Sequence, residues 1–250
     1  MNRDPSFRWP ALLLTLFAGC AIACASESSS LPEGLPEGIN DQFLSETLDV
    51  GKFVERFEGE SREVYAGRHA IVSALGLSEG SAIADIGAGT GFFSLLFVDQ
   101  VGEQGSVHAV EVSPRFLEHL RALSTRDDLS RLRVVEGTMT SVELPNASVD
   151  LAFLCDVYHH FESPPATLAS LHAAIRPGGS LVLIDFERIP GKSPKRLLEH
   201  VRAGKQVFRE EIEEAGFELE EEIQLEALTN NYMLRFRRID PKLGVSDDRP

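Results

Sequence analysis

The sequence predicts an α/β fold, a doubly wound and mostly parallel sheet, and three observations predict it. Short, continuously apolar runs alternate with helical patterns from residue 82 onward. Runs with no polar alternation fit strands buried on both faces, as in a parallel sheet covered by helices. Four of these runs close on or next to an acid, at Asp85, Glu111, Asp156 and Asp185. The first, Ala82–Asp85, passes at once into Ile86-Gly87-Ala88-Gly89-Thr90-Gly91 and then into an apolar helix. That is a strand, a tight turn and a helix start. Glycines are needed where φ is positive or where another group comes too close for a Cβ. A helix start offers unpaired N–H groups to a polar or anionic partner. In such sheets ligands bind beyond the carboxyl ends of the strands. Acids at four of those ends suit a polar, partly cationic ligand.

The length of 250 residues suffices for an α/β domain with a sizeable core. A net charge of −15 makes the chain a poor grip for phosphate backbones, so no nucleic-acid partner is expected. Arg3 and Arg8 precede the apolar run Ala11 to Ala18, which is too short to span a bilayer. Phe17-Ala18-Gly19-Cys20 then resembles the lipobox of bacterial lipoproteins. Residues 1–25 are therefore expected to be a signal peptide, with a lipid anchor at Cys20 as the membrane attachment. Cleavage after Ala23 or Ala25 is the alternative. The chain is expected to be exported and membrane-anchored, or cytoplasmic if the leader is not processed. Cys155 is the only cysteine beyond the leader, so neither a disulfide framework nor a metal site is expected from cysteine spacing.

Residues 26–40, rich in Ser, Pro and Gly, predict a linker. A domain over 41–240 follows, and 241–250 read as a tail. Helical spacing runs from Asp41 to Leu77, with Phe43, Val50, Phe53, Val54 and Phe57 on one face. A second helix there carries Arg62 and Tyr65, which either roof the pocket or stay solvated. Phe92 to Val101 predicts a buried helix, ended by Gly102 and Gly105. Val107–Glu111 is the second strand. Ser113-Pro114 opens the next helix, with proline at its first position. Leu132–Val135, Val149–Asp156 and Leu181–Phe186 are the next three strands, with a helix from Ser163-Pro164 before the last of them. Helical patterns from Lys195 to Ala215 end at Gly216. Phe217–Leu225 and Tyr232–Ile239 complete seven strands.

This order of motifs resembles the class I S-adenosylmethionine-dependent methyltransferases, small-molecule enzymes of the ubiquinone/menaquinone type above all, from about Val64 to Arg238. Asp85-Ile86-Gly87-Ala88-Gly89-Thr90-Gly91 looks like the family's first motif. Glu111 looks like the acid that holds both ribose hydroxyls, since a carboxylate can accept from two donors. Thr138 and Met139, after Gly137, stand where the family usually has an acid or amide near the adenine amine. Asp156-Val157-Tyr158-His159-His160-Phe161 and Arg176-Pro177-Gly178-Gly179 are similar to the segments after strand four and before strand five. The resemblance implies a Rossmann-like seven-stranded sheet with its last strand antiparallel. It implies S-adenosyl-L-methionine as cofactor, held by Asp85, Gly87, Ala88, Gly89, Gly91, Glu111, Val112, Thr138, Met139 and Asp156. It also implies methyl transfer to a small-molecule acceptor.

Such transfer displaces a neutral leaving group, so holding the acceptor close and aligned is most of the task. A base is needed only where the acceptor must lose a proton. Tyr158, His159 and His160 are the candidate catalytic residues, although histidines in this stretch also serve packing. Cys155 sits in an apolar run and reads as core. The basic stretch from Ile189 to Lys195, with His200 and Arg202 after it, either closes over an acidic substrate or is a solvated surface. Two other functions fit parts of the pattern. One is an NAD(P)-dependent oxidoreductase, whose fingerprint spaces its glycines G-x-G-x-x-G, unlike Gly87, Gly89 and Gly91. The other is a non-catalytic nucleotide-binding module, which an exported chain remote from a cytoplasmic cofactor keeps open.

Overall fold

In the computed structural model the described residues are 31–240. The expected leader, the anchor at Cys20 and the tail lie outside them. Seven strands form one sheet: β1 (Ala82–Ile86), β2 (Ser106–Glu111), β3 (Leu132–Glu136), β4 (Val149–Cys155), β5 (Ile175–Phe186), β6 (Phe217–Ile223) and β7 (Asn231–Arg238). Their order is β3-β2-β1-β4-β5-β7-β6. The first five are parallel, and β7 runs antiparallel to both of its neighbours, as expected. The order reverses between β1 and β4. That reversal opens the crevice at the carboxyl ends of these strands.

The two-residue repeat of the strands sorts side chains onto two faces. Ile83, Leu151, Phe153, Val182 and Ile184 join one buried cluster, and Ala84, Ala152, Leu154, Leu181 and Leu183 join the other. The first face carries α4 (Arg68–Ala74), α5 (Phe92–Val101) and Leu120 of α6 (Pro114–Ser124). The second carries α7 (Pro164–Ala174) and α9 (Lys205–Glu214). β6 is the edge strand, and its exposed Glu218, Glu221 and Glu222 discourage further pairing there.

The amino-terminal helical stretch is broken into α1 (Asp41–Leu44), α2 (Val50–Phe57), α3 (Glu63–Ala66) and α4. Gly67 divides the last two, and a Cβ there would lie 2.7 Å from Ala227 Cβ. The helix yields to close packing against the loop before β7. The Lys195–Ala215 stretch is likewise two helices, α8 (Lys195–His200) and α9.

Residues 31–40 depart from the linker expectation. Ile39 and Asn40 are buried, and Asn40 donates from Nδ2 to the carbonyl of His160 at 3.0 Å and to Glu162 at 2.9 Å. The Pro-Gly repeat folds as successive turns that bring the segment onto the domain.

Candidate active site

The glycine turn after β1 is built by conformation and by crowding. Gly87, Gly89 and Gly91 have φ of 67°, 55° and 82°, where side chains are disfavoured. A Cβ on Gly87 would meet Val157 at 2.4 Å, and one on Gly91 would meet Leu120 at 2.8 Å. Gly89 differs, for its Cβ would meet nothing nearer than the Phe57 ring at 3.8 Å. The space it would enter belongs to a cavity of about 800 Å³, a size typical of small-molecule sites.

Asp85 and Glu111 stand behind this turn. Asp85 accepts from the Ser94 hydroxyl at 2.6 Å. Burial pushes its carboxyl up to about 7, against the lowering effect of Ser94. Glu111 Oε2 accepts from Gly89 N–H at 2.8 Å, and Oε1 accepts from Val112 and Ser113 N–H at 2.7 and 2.8 Å. Burial raises its pKa while these three N–H groups oppose the rise. A carboxylate has about four acceptor sites, and three are taken. Glu111 therefore has room for about one further donor.

The pKa of Asp85 gives a signed prediction. Between pH ~4 and ~7 the folded protein keeps a proton on Asp85 that the unfolded chain has released. The contribution of this group to stability is present at the acid end and is lost as pH rises to about 7. Urea denaturation at pH 5 and pH 7.5 should show wild type falling relative to Asp85→Asn. Parallel behaviour of the two proteins would refute the titration.

The sequence-predicted residues mostly converge. Asp85, Gly87, Ala88, Gly89, Glu111, Val112, Thr138, Met139 and Asp156 line the cavity. Gly91 does not; its role is the left-handed N-cap of α5 packed under α6. Asp156 has φ of 54° and is committed to protein partners, accepting from Arg62 at 2.7 Å and from Asn231 at 2.6 Å. Arg62 thus roofs the pocket, whereas Tyr65 stacks on Phe92 outside it.

Tyr158 is corrected. It is fully buried in the core between Phe161 and Phe208, and its hydroxyl donates to Glu211 at 2.7 Å. It does not line the cavity. The short 3-10 turn Tyr158–His160 sends it to the opposite side from its two neighbours. His159 and His160 do line the cavity. Asp185 accepts from His159 Nδ1 at 2.9 Å. Burial lowers the pKa of His159, and the Asp185 carboxylate outweighs it, so the net direction is up. Burial and the neighbouring His159 and His200 push His160 down to about 2. Cys155 also borders the cavity, with its thiol pushed up by burial, so it is no thiolate nucleophile.

Sequence reasoning missed Asn40, Arg56 and Arg196 on the lining, and it left His200 without a role. Arg56 and Arg196 are exposed and have no carboxylate partner among the described residues. Cysteine spacing predicted no metal site, yet His159, His160 and His200 come together as a group of possible ligands. Nothing local in the sequence signals that meeting, because β5, α8 and the turn after β4 join only through the sheet.

A buried acid beside a glycine turn, a second acid at the end of β2 with one acceptor site left, and a cavity that a Cβ would intrude on fit a cationic nucleoside cofactor. Residues 84–183 match the methyltransferase domain family. The chain is 29% identical over 130 residues to demethylmenaquinone methyltransferase of Chlamydia muridarum, covering 52% of this chain and 54% of that one. It is 29% identical over 119 residues to tRNA U34 carboxymethyltransferase of Desulfotalea psychrophila, covering 48% and 36%. A SAM-dependent methyltransferase structure from Aquifex aeolicus shares the fold, with a TM-score of 0.66 and 21% identity over 76% of this chain and 99% of that one. Over residues 84–183 the chain is similar to methyltransferase domains, and its fold is that of a SAM-dependent methyltransferase. It spans about half the length or less of the first two curated relatives.

Proposed function

We propose that this protein transfers a methyl group from S-adenosyl-L-methionine to a small anionic acceptor. The observation that carries the reading is the cavity itself. Its lining joins the glycine turn, Asp85 and Glu111 with His159, His160, Arg56 and Arg196. The cofactor supplies an activated methyl on a sulfonium. Glu111 holds the glycine turn that faces it, and Asp85 holds the start of α5 through Ser94. Gly89 N–H and Glu111 fix each other, so the turn is organised before binding and costs no reorganisation. Arg62, tied to Asp156, covers the site and limits water. Two exposed arginines on the lining, in a chain of net charge −15, favour an acceptor with a carboxylate, phosphate or phenolate. The relatives named for demethylmenaquinone support a small molecule over a macromolecule.

The leader belongs to the same proposal. The basic start, the short apolar run and the small residues before Cys20 support export and lipid anchoring at Cys20. Among the described residues no helix is long and apolar enough to cross a membrane, so any attachment rests on the leader.

Calorimetry should show one S-adenosylhomocysteine bound per chain and no binding of NADH or NADPH. Incubation with methyl-tritiated cofactor and a small-molecule extract should place label in a low-mass anionic product. Nicotinamide binding without S-adenosylhomocysteine binding would overturn the class of reaction. Label confined to RNA or protein would overturn the acceptor.

A further inference from the structure

Three imidazoles converge on the lining of the cavity, from two elements far apart in the chain. His159 and His160 sit in the turn after β4, and His200 ends α8. One ligand nitrogen from each lies within 4.8 Å of the other two. The ring centroids are 4.3 Å apart for His159 and His160, 5.1 Å for His159 and His200, and 5.2 Å for His160 and His200.

Hydrogen bonding fixes the tautomers of two of them. Asp185 can only accept from His159 Nδ1 when ionised, so that nitrogen carries the proton. Asn40 Nδ2 donates to the His160 carbonyl, which can only accept. Its Oδ1 is thereby the atom facing His160 Nδ1 at 3.1 Å, and that nitrogen carries the proton too. With each Nδ1 so engaged, Nε2 is the nitrogen left in both rings to bind a metal. A ligating histidine whose other nitrogen donates to a carboxylate or carbonyl is the usual outer arrangement of a metal site. Here an acid and an amide supply it independently.

We propose that His159, His160 and His200 bind one divalent transition-metal ion of the zinc type, with a fourth position open to the cavity. Three imidazoles with an open position are a ligand set typical of catalytic zinc. Tetrahedral coordination at about 2.0–2.1 Å sets the nitrogens roughly 3.4 Å apart. The rings would close by about 1.4 Å at most, and His200, half-buried on the six-residue α8, is free to supply that movement. Arg56 and Arg196 line the same cavity. Their charge opposes a bare dication and selects an anionic oxygen or sulfur donor for the fourth position. That last assignment rests on the acceptor reading above.

The test uses the full chain, free of any histidine tag, with Co²⁺ as a spectroscopic probe and Zn²⁺ in competition with a chelating dye. One ion per chain is expected, with the visible bands of four-coordinate Co²⁺. His200→Ala and His160→Ala should each weaken Zn²⁺ binding by about 100-fold. Asn40→Ala removes no ligand and should weaken it by about 10-fold. If His159→Ala fails to fold, His200→Ala carries the test alone. Absence of saturable binding, or a His200→Ala affinity equal to wild type, would overturn the site. Metal-free protein that binds S-adenosylhomocysteine but takes no Co²⁺ sinks the metal site alone. Protein that takes Co²⁺ but no S-adenosylhomocysteine sinks the methyl-transfer reading alone.

Discussion

Glu111→Ala is expected to lose S-adenosylmethionine binding by about 100-fold or more, the scale of one or two charged hydrogen bonds. Two effects add. The remaining acceptor site, the one open to a ribose hydroxyl, disappears. The N–H groups of Gly89, Val112 and Ser113 also lose their shared partner. Each buried donor left unpaired costs about 1–3 kcal/mol, so the fold itself should lose roughly 3 kcal/mol. The loss falls on the turn that faces the ligand, so affinity and stability fall together. Glu111→Gln keeps one acceptor oxygen and turns an NH₂ group toward N–H donors. It should restore part of the stability and little of the affinity. Calorimetry with S-adenosylhomocysteine, alongside thermal unfolding, checks both. An affinity within about threefold of wild type in a folded Glu111→Ala protein would remove Glu111 from the cofactor site.

Arg62→Ala is the second large effect. The Asp156 side chain is only 8% exposed, and Arg62 is its charged partner at 2.7 Å. Burial raises the pKa of Asp156 and Arg62 pulls it back. Removing the guanidinium leaves a buried carboxylate at a left-handed φ of 54°, held only by Asn231. Breaking such a pair costs about 3–5 kcal/mol when fully buried, and Arg62 is 26% exposed, so about 2 kcal/mol is expected. Arg62 also donates to the Phe57 carbonyl, so the end of α2 loosens over the cavity. Arg62→Lys cannot make both contacts and should recover less than half of the loss. The double variant Arg62→Ala with Asp156→Asn should be more stable than Arg62→Ala, because the stranded charge is gone. Chemical denaturation of the full cycle measures this. A double variant less stable than Arg62→Ala would show that the pair is not what holds the roof.

Both results depend on partners of different sequence range, and that difference explains how much was legible. Glu111 and the glycine turn are neighbours through one parallel ladder, β1 on β2, and the turn itself is local. Strand, acid, glycine spacing and helix start lie within ten or so residues, so their geometry follows from backbone rules alone. The alternation of apolar runs with helices fixed the parallel sheet for the same reason. Charge, length and the acids at the strand ends were equally readable.

What the tertiary structure decided lies in contacts between remote segments. Asn40 and His160 are 120 positions apart, and Arg62 and Asp156 are 94 apart. No periodicity or motif links such pairs, because they meet only once the crossovers have stacked the strands in the order β3-β2-β1-β4-β5-β7-β6. Tyr158 and His159 are adjacent and chemically alike as candidates, yet a 3-10 turn places one in the core and the other on the cavity. By itself the sequence determined the glycine turn at the end of β1 and the acids beside it, since these are made of local backbone. Only the fold decided what shares a cavity with that turn, three imidazoles and two arginines with no carboxylate partner among the described residues, since side chains from separate elements share a cavity only after the sheet has closed around it.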